Sequence, residues 1–70
     1  MASHRDRLLV LILERIRADR YPSGELMDRA EAAIGSREGL DAYLDVLLEK
    51  VDETWYPSKQ MLDRIARLAA

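Results

Sequence analysis

The stretch Tyr21-Pro22-Ser23 occurs again as Tyr56-Pro57-Ser58, 35 residues later in a chain of 70. Aligned at that offset, the two halves of the sequence match without a gap. Identical residues outside the tripeptide include Asp6 with Asp41, Leu9 with Leu44, Leu13 with Leu48, Glu14 with Glu49, Asp28 with Asp63 and Arg29 with Arg64. This repetition predicts a duplicated supersecondary unit, with repeat 1 over about residues 1–35 and repeat 2 over about 36–70.

Each tripeptide predicts the end of one helix and the start of the next. Proline has no N–H to donate and disfavours helical geometry at the preceding residue, while the serine can cap the helix that follows. Apolar periodicity predicts four helices, over about 4–19, 24–34, 37–53 and 59–69, with Gly35 as a left-handed terminator of the second helix. The sequence carries no strand pattern. The predicted fold is therefore all-α, a single domain over 1–70 in which two tandem helix–turn–helix hairpins form a small four-helix bundle.

The apolar spacing also predicts which side chains face the core. In repeat 1 the expected core residues are Leu9, Ile12, Leu13, Ile16, Leu26, Met27, Ala30, Ala33 and Ile34. In repeat 2 they are Leu40, Leu44, Leu47, Leu48, Val51, Met61, Leu62, Ile65 and Leu68. Trp55, Tyr56 and Tyr43 are expected to pack in the core or at the second helix break.

Composition excludes several functional classes. A net charge of −2 argues against a nucleic-acid-binding protein, because such proteins normally present a basic face. The chain has no cysteine and one histidine, His4, so we expect no metal site, no cofactor and no enzymatic activity. The longest apolar run, Leu8–Leu13, is too short for a signal peptide or a membrane span, and we expect a cytoplasmic protein. Nine arginines against two lysines are typical of a bacterial genome rich in G and C.

Helix 1 carries more apolar surface than a single core face requires. Val10 stands where repeat 2 has Asp45, and it makes the run from Leu8 to Leu13 apolar around the whole helix. A helix that is apolar on all sides is either central or shared with another chain, and a four-helix domain has no central helix. We therefore expect self-association through helix 1, with these interface candidates: Arg7, Leu8, Val10 and Leu11.

Helix 3 carries an acidic ladder, defined as Asp41, Asp45, Glu49 and Glu53, whose members are four residues apart. Like charges at this spacing repel each other, and the ladder is not inherited from the repeat, because positions 10 and 18 are Val and Ala. A plain solvated face is one interpretation. Docking of a second, basic protein partner or weak collection of divalent cations is the other.

The repeated Asp-Arg pairs, Asp28-Arg29 and Asp63-Arg64, are polar in both halves. We interpret them as structural, with inter-helix salt bridges from Arg29 to Glu14 and from Arg64 to Glu49.

The predicted function is a non-enzymatic protein-interaction module, either an adaptor or a small regulatory subunit, that forms a homodimer. The alternative is a small helix-turn-helix type transcriptional regulator that binds DNA, because a short helix follows each break. Few basic side chains are available for DNA contact in these short helices, namely Arg29, Lys59, Arg64 and Arg67.

Overall fold

The computed structural model describes residues 3–54 and 58–69, which form four helices and no strand. The helices are α1 (His4–Ala18), α2 (Gly24–Ala33), α3 (Arg37–Glu53) and α4 (Lys59–Ala69). The prediction of an all-α fold with four helices is confirmed. Trp55 and Tyr56, which we expected to pack near the second break, lie outside the described residues.

A serine caps the start of every helix. Ser3 and Asp6 form a reciprocal capping box at α1. At the other three helices the serine Oγ accepts a hydrogen bond from a first-turn amide, and these serines are Ser23, Ser36 and Ser58. Each cap satisfies an amide that the helix leaves without a partner, and such a cap contributes on the order of 1 kcal/mol.

The end of α2 differs from the prediction. Ile34 takes an extended conformation directly after Ala33, and no glycine within 3–54 and 58–69 has a positive φ. Gly35 is therefore not a left-handed terminator. Instead, a side chain of α1 binds a carbonyl group at the end of α2. Arg5 Nη2 donates a hydrogen bond of 2.9 Å to the carbonyl oxygen of Ala32.

The two hairpins pack together along α1 and α3. Helix α1 contacts α2 and α3, and α3 also contacts α2 and α4. Helices α1 and α3 run in the same direction, because Leu9 lies beside Gly39 near their starts and Arg17 lies beside Glu49 near their ends. The centre of the core consists of the four largest fully buried side chains: Ile16, Met27, Tyr43 and Leu47.

The predicted buried face of α3 is partly wrong. Leu48 is 51% exposed, and Leu40 and Leu44 are only half-buried. The buried side chains of α3 are Tyr43, Val46, Leu47 and Lys50. The buried stripe is rotated because α3 packs against three other helices. In α4, Met61 is buried as predicted, Ile65 and Leu68 are half-buried, and Leu62 is exposed.

Candidate functional site

The outer face of α1 exposes large apolar side chains. Leu8, Val10 and Leu11 are 52%, 54% and 60% exposed, and Arg7 beside them is exposed as well. The opposite face of the same helix holds the buried residues Leu9, Ile12, Leu13 and Ile16. The structure thus places all four interface candidates on the surface, outside the core.

These candidates do not form one flat patch. Leu8 and Val10 are two positions apart, which is about 200° around a helix, so they lie at opposite edges of the exposed face of α1. Leu8 lines a groove of about 530 Å³ between α1 and α2, together with His4 and Ala32. Val10 lines a groove of about 340 Å³ between α1 and α3. Leu11 lies between these two edges of the exposed face.

The acidic ladder of α3 is exposed along its whole length. Asp45 and Glu49 line the groove between α1 and α3, opposite Val10. Glu49 is already bound within the chain, because Arg17 donates two hydrogen bonds to its carboxylate, at 3.0 and 3.3 Å. Within residues 3–54 and 58–69, Asp41, Asp45 and Glu53 form no ion pair.

The ladder does not bring metal ligands together. In the part of the chain that the structure describes, no group of three or more His, Cys, Asp or Glu side chains could hold a metal ion. Carboxylates along one straight helix cannot surround a cation, which explains this arrangement.

The structural interpretation of the Asp-Arg pairs is confirmed for Arg64, which forms salt bridges to another helix, but the partners named from the sequence are wrong. Arg29 binds Glu25 on its own helix at 3.1 Å. Arg64 reaches α2 and binds Asp28 at 2.8 Å as well as Glu31. Glu49 is occupied by Arg17, so it is not the acceptor for Arg64.

Glu31 is the centre of a polar cluster that joins α2, α3 and α4. Its carboxylate accepts hydrogen bonds from Tyr43 at 2.6 Å, from Arg67 at 2.6 Å and from Arg64. Burial of Tyr43 raises the pKa of its hydroxyl above the ordinary value, and the hydrogen bond to Glu31 raises it further. Burial alone would lower the pKa of Arg64, but hydrogen bonds to Glu31 and Asp28 outweigh that effect and raise it. The cluster therefore holds a neutral phenol and a charged guanidinium in place.

Lys50 is a second polar contact that sequence reasoning missed. It is only 7% exposed, and its Nζ donates hydrogen bonds to the carbonyl oxygens of Arg17 and Asp19. The sequence did contain a signal for this burial. Lys50 lies four residues after Val46 and three after Leu47, which places it on the same buried face of α3. A lysine on such a stripe must bury its ammonium group against acceptors.

Comparisons with protein-family models, curated proteins and solved structures found no match for this chain. Among the described residues, none of the helices combines the length and the apolar character needed to cross a membrane.

Proposed function

We propose that this chain is a non-enzymatic protein-interaction module, an adaptor or small regulatory subunit, that associates with itself through α1. The observation that carries the proposal is the exposure of Leu8, Val10 and Leu11 on one helix. Several large apolar side chains exposed around one helix favour burial against a partner. The flanking Arg7 supplies a charged rim, as protein interfaces usually have.

The size of the chain fits this proposal. A domain of 70 residues has a small core, and small natural domains often gain stability by forming oligomers. A helix of 15 residues is about 22 Å long, which is enough to contribute most of one side of a modest interface. Covering the exposed face of α1 would add buried apolar area that the chain alone does not provide.

The proposed occupant is a second copy, because the chain carries both signs of charge on neighbouring surfaces. Helix α1 exposes Arg7 and Arg15, whereas α3 exposes the acidic ladder. A second copy can therefore supply the opposite charge at each surface. The net charge of −2 is small, so the repulsion between two whole copies is weak.

The DNA-binding alternative receives less support. The four basic side chains that could have contacted DNA are all engaged within the chain: Arg29 with Glu25, Lys59 with Asp63, and Arg64 and Arg67 with Glu31. Retention of the protein on DNA at low salt would revive this alternative.

Light scattering over a concentration series tests the proposal. The wild type is expected to have the mass of a dimer, and Val10→Asp the mass of a folded monomer, because a carboxylate in the interface would be buried without a partner. Ala66→Asp is the matched control, because it adds the same charge to an exposed position of α4 and should leave the dimer intact. A wild type that stays monomeric over the whole series would contradict the proposal.

A further inference from the structure

We propose that the outer face of α1 packs against the same face of a second copy, with the two helices antiparallel about a twofold axis perpendicular to α1. This inference rests on the proposed self-association and specifies the surface that α1 meets, the direction of the partner helix and the register between them. The axis crosses α1 midway between Arg7 and Glu14, at the level of Val10 and Leu11.

The face of α1 opposite the core has a charged stripe with apolar side chains on both sides. Arg7 lies nine residues before the buried Ile16, which is about two and a half turns, so the two point in opposite directions. Glu14 lies seven residues after Arg7, and the two directions differ by only about 20°. Val10 and Leu11 lie about 50° to either side of this stripe. All four of these outer residues are exposed.

The charged stripe is complementary to itself when the helices are antiparallel. Within residues 3–54 and 58–69, neither Arg7 nor Glu14 forms an ion pair. A twofold axis midway between them brings Arg7 to the partner's Glu14, and Glu14 to the partner's Arg7, in two equivalent contacts. In a parallel pair about an axis along α1, each charge would instead meet its own copy. Charge complementarity therefore selects the antiparallel direction and this register.

The same axis brings the exposed apolar side chains together. Val10 and Leu11 each lie within about 1 Å of the level of the axis along the helix, so each is nearest to its own copy. Leu11 packs against the partner's Leu11 on one side of the charged stripe, and Val10 packs against the partner's Val10 on the other. These side chains are 54% and 60% exposed, so the contact has apolar area to bury. The two charge pairs lie beyond them along the helix, at the rim.

The surroundings of Glu14 favour the arrival of a cation. Glu14 lines the groove between α1 and α3 together with Asp45, which belongs to the acidic ladder. The partner's Arg7 therefore approaches two neighbouring carboxylates, and the ladder adds to its attraction. One pair of helices buries less area than a standard interface, so the dimer is expected to dissociate on dilution.

Single introduced cysteines test the direction of the helices, because the chain has no cysteine of its own. In Leu11→Cys the two Cα atoms lie about 6 Å apart across the axis, which a disulfide can span. Ala18→Cys is the matched control, because Ala18 is exposed at the end of the same face and its two copies lie about 22 Å apart. Under mild oxidation we expect Leu11→Cys to form a covalent dimer at least about tenfold faster than Ala18→Cys. A parallel pair would crosslink at both positions.

Charge exchange within one chain tests the register. Arg7→Glu places two carboxylates together at both contacts, and it should weaken dimerisation about tenfold. Glu14→Arg should weaken it less, because Asp45 still attracts the partner's Arg7. The double variant Arg7→Glu/Glu14→Arg joins opposite charges again at both contacts, so it should dimerise more tightly than Arg7→Glu and recover most of the lost affinity. Sedimentation equilibrium over a concentration series measures these affinities.

The outcomes separate this inference from the proposed function. If Val10→Asp is a monomer but Leu11→Cys crosslinks no faster than Ala18→Cys, self-association through α1 stands and the antiparallel contact is wrong. If the double charge variant dimerises no more tightly than Arg7→Glu, the register is wrong. If the wild type is a monomer over the whole series, both proposals fall. Circular dichroism of each variant, compared with the wild type, shows that a loss of mass reflects dissociation and not unfolding.

Discussion

The ammonium group of Lys50 on α3 lies 2.6 Å from the carbonyl oxygen of Arg17 and 2.8 Å from that of Asp19, at the end of α1. The last carbonyls of a helix have no amide partner within the helix. Lys50, which lies in the other repeat, donates hydrogen bonds to carbonyl oxygens at this end of α1. Its positive charge is also favourable beside the negative end of the α1 dipole. One buried side chain thus closes a helix and links the two hairpins.

We expect Lys50→Met to destabilise the fold without changing its helices. Methionine keeps the length and apolar character of the lysine stem but leaves the two carbonyl oxygens without their donor. The free energy of unfolding should fall by about 1–3 kcal/mol, the usual cost of an unsatisfied buried polar group. Urea denaturation followed by circular dichroism measures this change.

The matched control for that variant is Arg15→Met, at the position that aligns with Lys50 in the repeat. The Arg15 side chain is 74% exposed and forms an i,i+4 ion pair with Asp19. Its replacement should change the free energy of unfolding by less than about 0.5 kcal/mol. Equal losses in the two variants would show that the contact of Lys50 with the end of α1 is not what stabilises the fold.

The helix boundaries could be predicted from the sequence because local chemistry decides them. The described caps, Ser3, Ser23, Ser36 and Ser58, lie where the sequence predicts helix starts, and the predicted limits of α3 and α4 agree with the structure. Caps and prolines act within a few residues of themselves, so no tertiary information is needed.

The environment of each side chain could not be predicted in the same way. Leu13 and Leu48 align in the two repeats, yet the first is buried and the second is exposed. The difference arises because the repeats pack against different neighbours, and neighbours are a nonlocal property. The exposure of Leu8, Val10 and Leu11 was foreseeable, since the helix had more apolar residues than one core face could take. The Glu31 cluster was not, because its members lie up to 36 residues apart.

Glu31→Gln should loosen α4. The amide can still accept a hydrogen bond from Tyr43, but it no longer neutralises Arg64, whose side chain is largely buried. We expect the free energy of unfolding to fall by about 1–3 kcal/mol. This loss is smaller than the cost of breaking a fully buried ion pair, because Asp28 still binds Arg64 in the variant. Hydrogen exchange should show reduced protection in α4 before the other helices.

Glu25→Gln is the control for this prediction, because the Glu25 side chain is 77% exposed and its pair with Arg29 lies on one helix. Its effect should stay below about 0.5 kcal/mol. Unchanged protection of α4 in Glu31→Gln would argue that apolar contacts through Met61 hold that helix, not the polar cluster.

Tyr43 should make the fold sensitive to alkaline pH. Burial raises the pKa of Tyr43 in the folded state, and the Glu31 carboxylate raises it further. A raised pKa means that folding favours the neutral phenol, so its contribution is complete below the unfolded value of about 10 and is lost as the pH rises above it. Tyr43→Phe should be less stable by about 1–2 kcal/mol at neutral pH and should lose less stability above about pH 10.

Urea denaturation at a series of pH values tests that expectation, and the two curves should converge as the pH rises. Tyr21→Phe is the control, because its ring is largely exposed and folding changes its surroundings little. If Tyr43→Phe and the wild type lose stability in parallel above pH 10, the Tyr43 hydroxyl is not the source of the alkaline sensitivity.

Two glycines in first helical turns should respond in opposite ways to alanine. Alanine normally stabilises a helix by about 0.5–1 kcal/mol relative to glycine. At Gly24 the new Cβ would lie 3.1 Å from Oε1 of Gln60, the end of an exposed and flexible side chain that can move away. At Gly39 it would lie 3.0 Å from Cδ2 of Leu9, which is buried where α1 meets α3.

Thermal unfolding should therefore show that Gly24→Ala is at least as stable as the wild type. Gly39→Ala should be less stable than the wild type, because close-packed cores resist added volume. A stabilising Gly39→Ala would mean that α1 and α3 can separate slightly at Leu9 without cost, and that the packing between the two hairpins is looser there than the structure indicates.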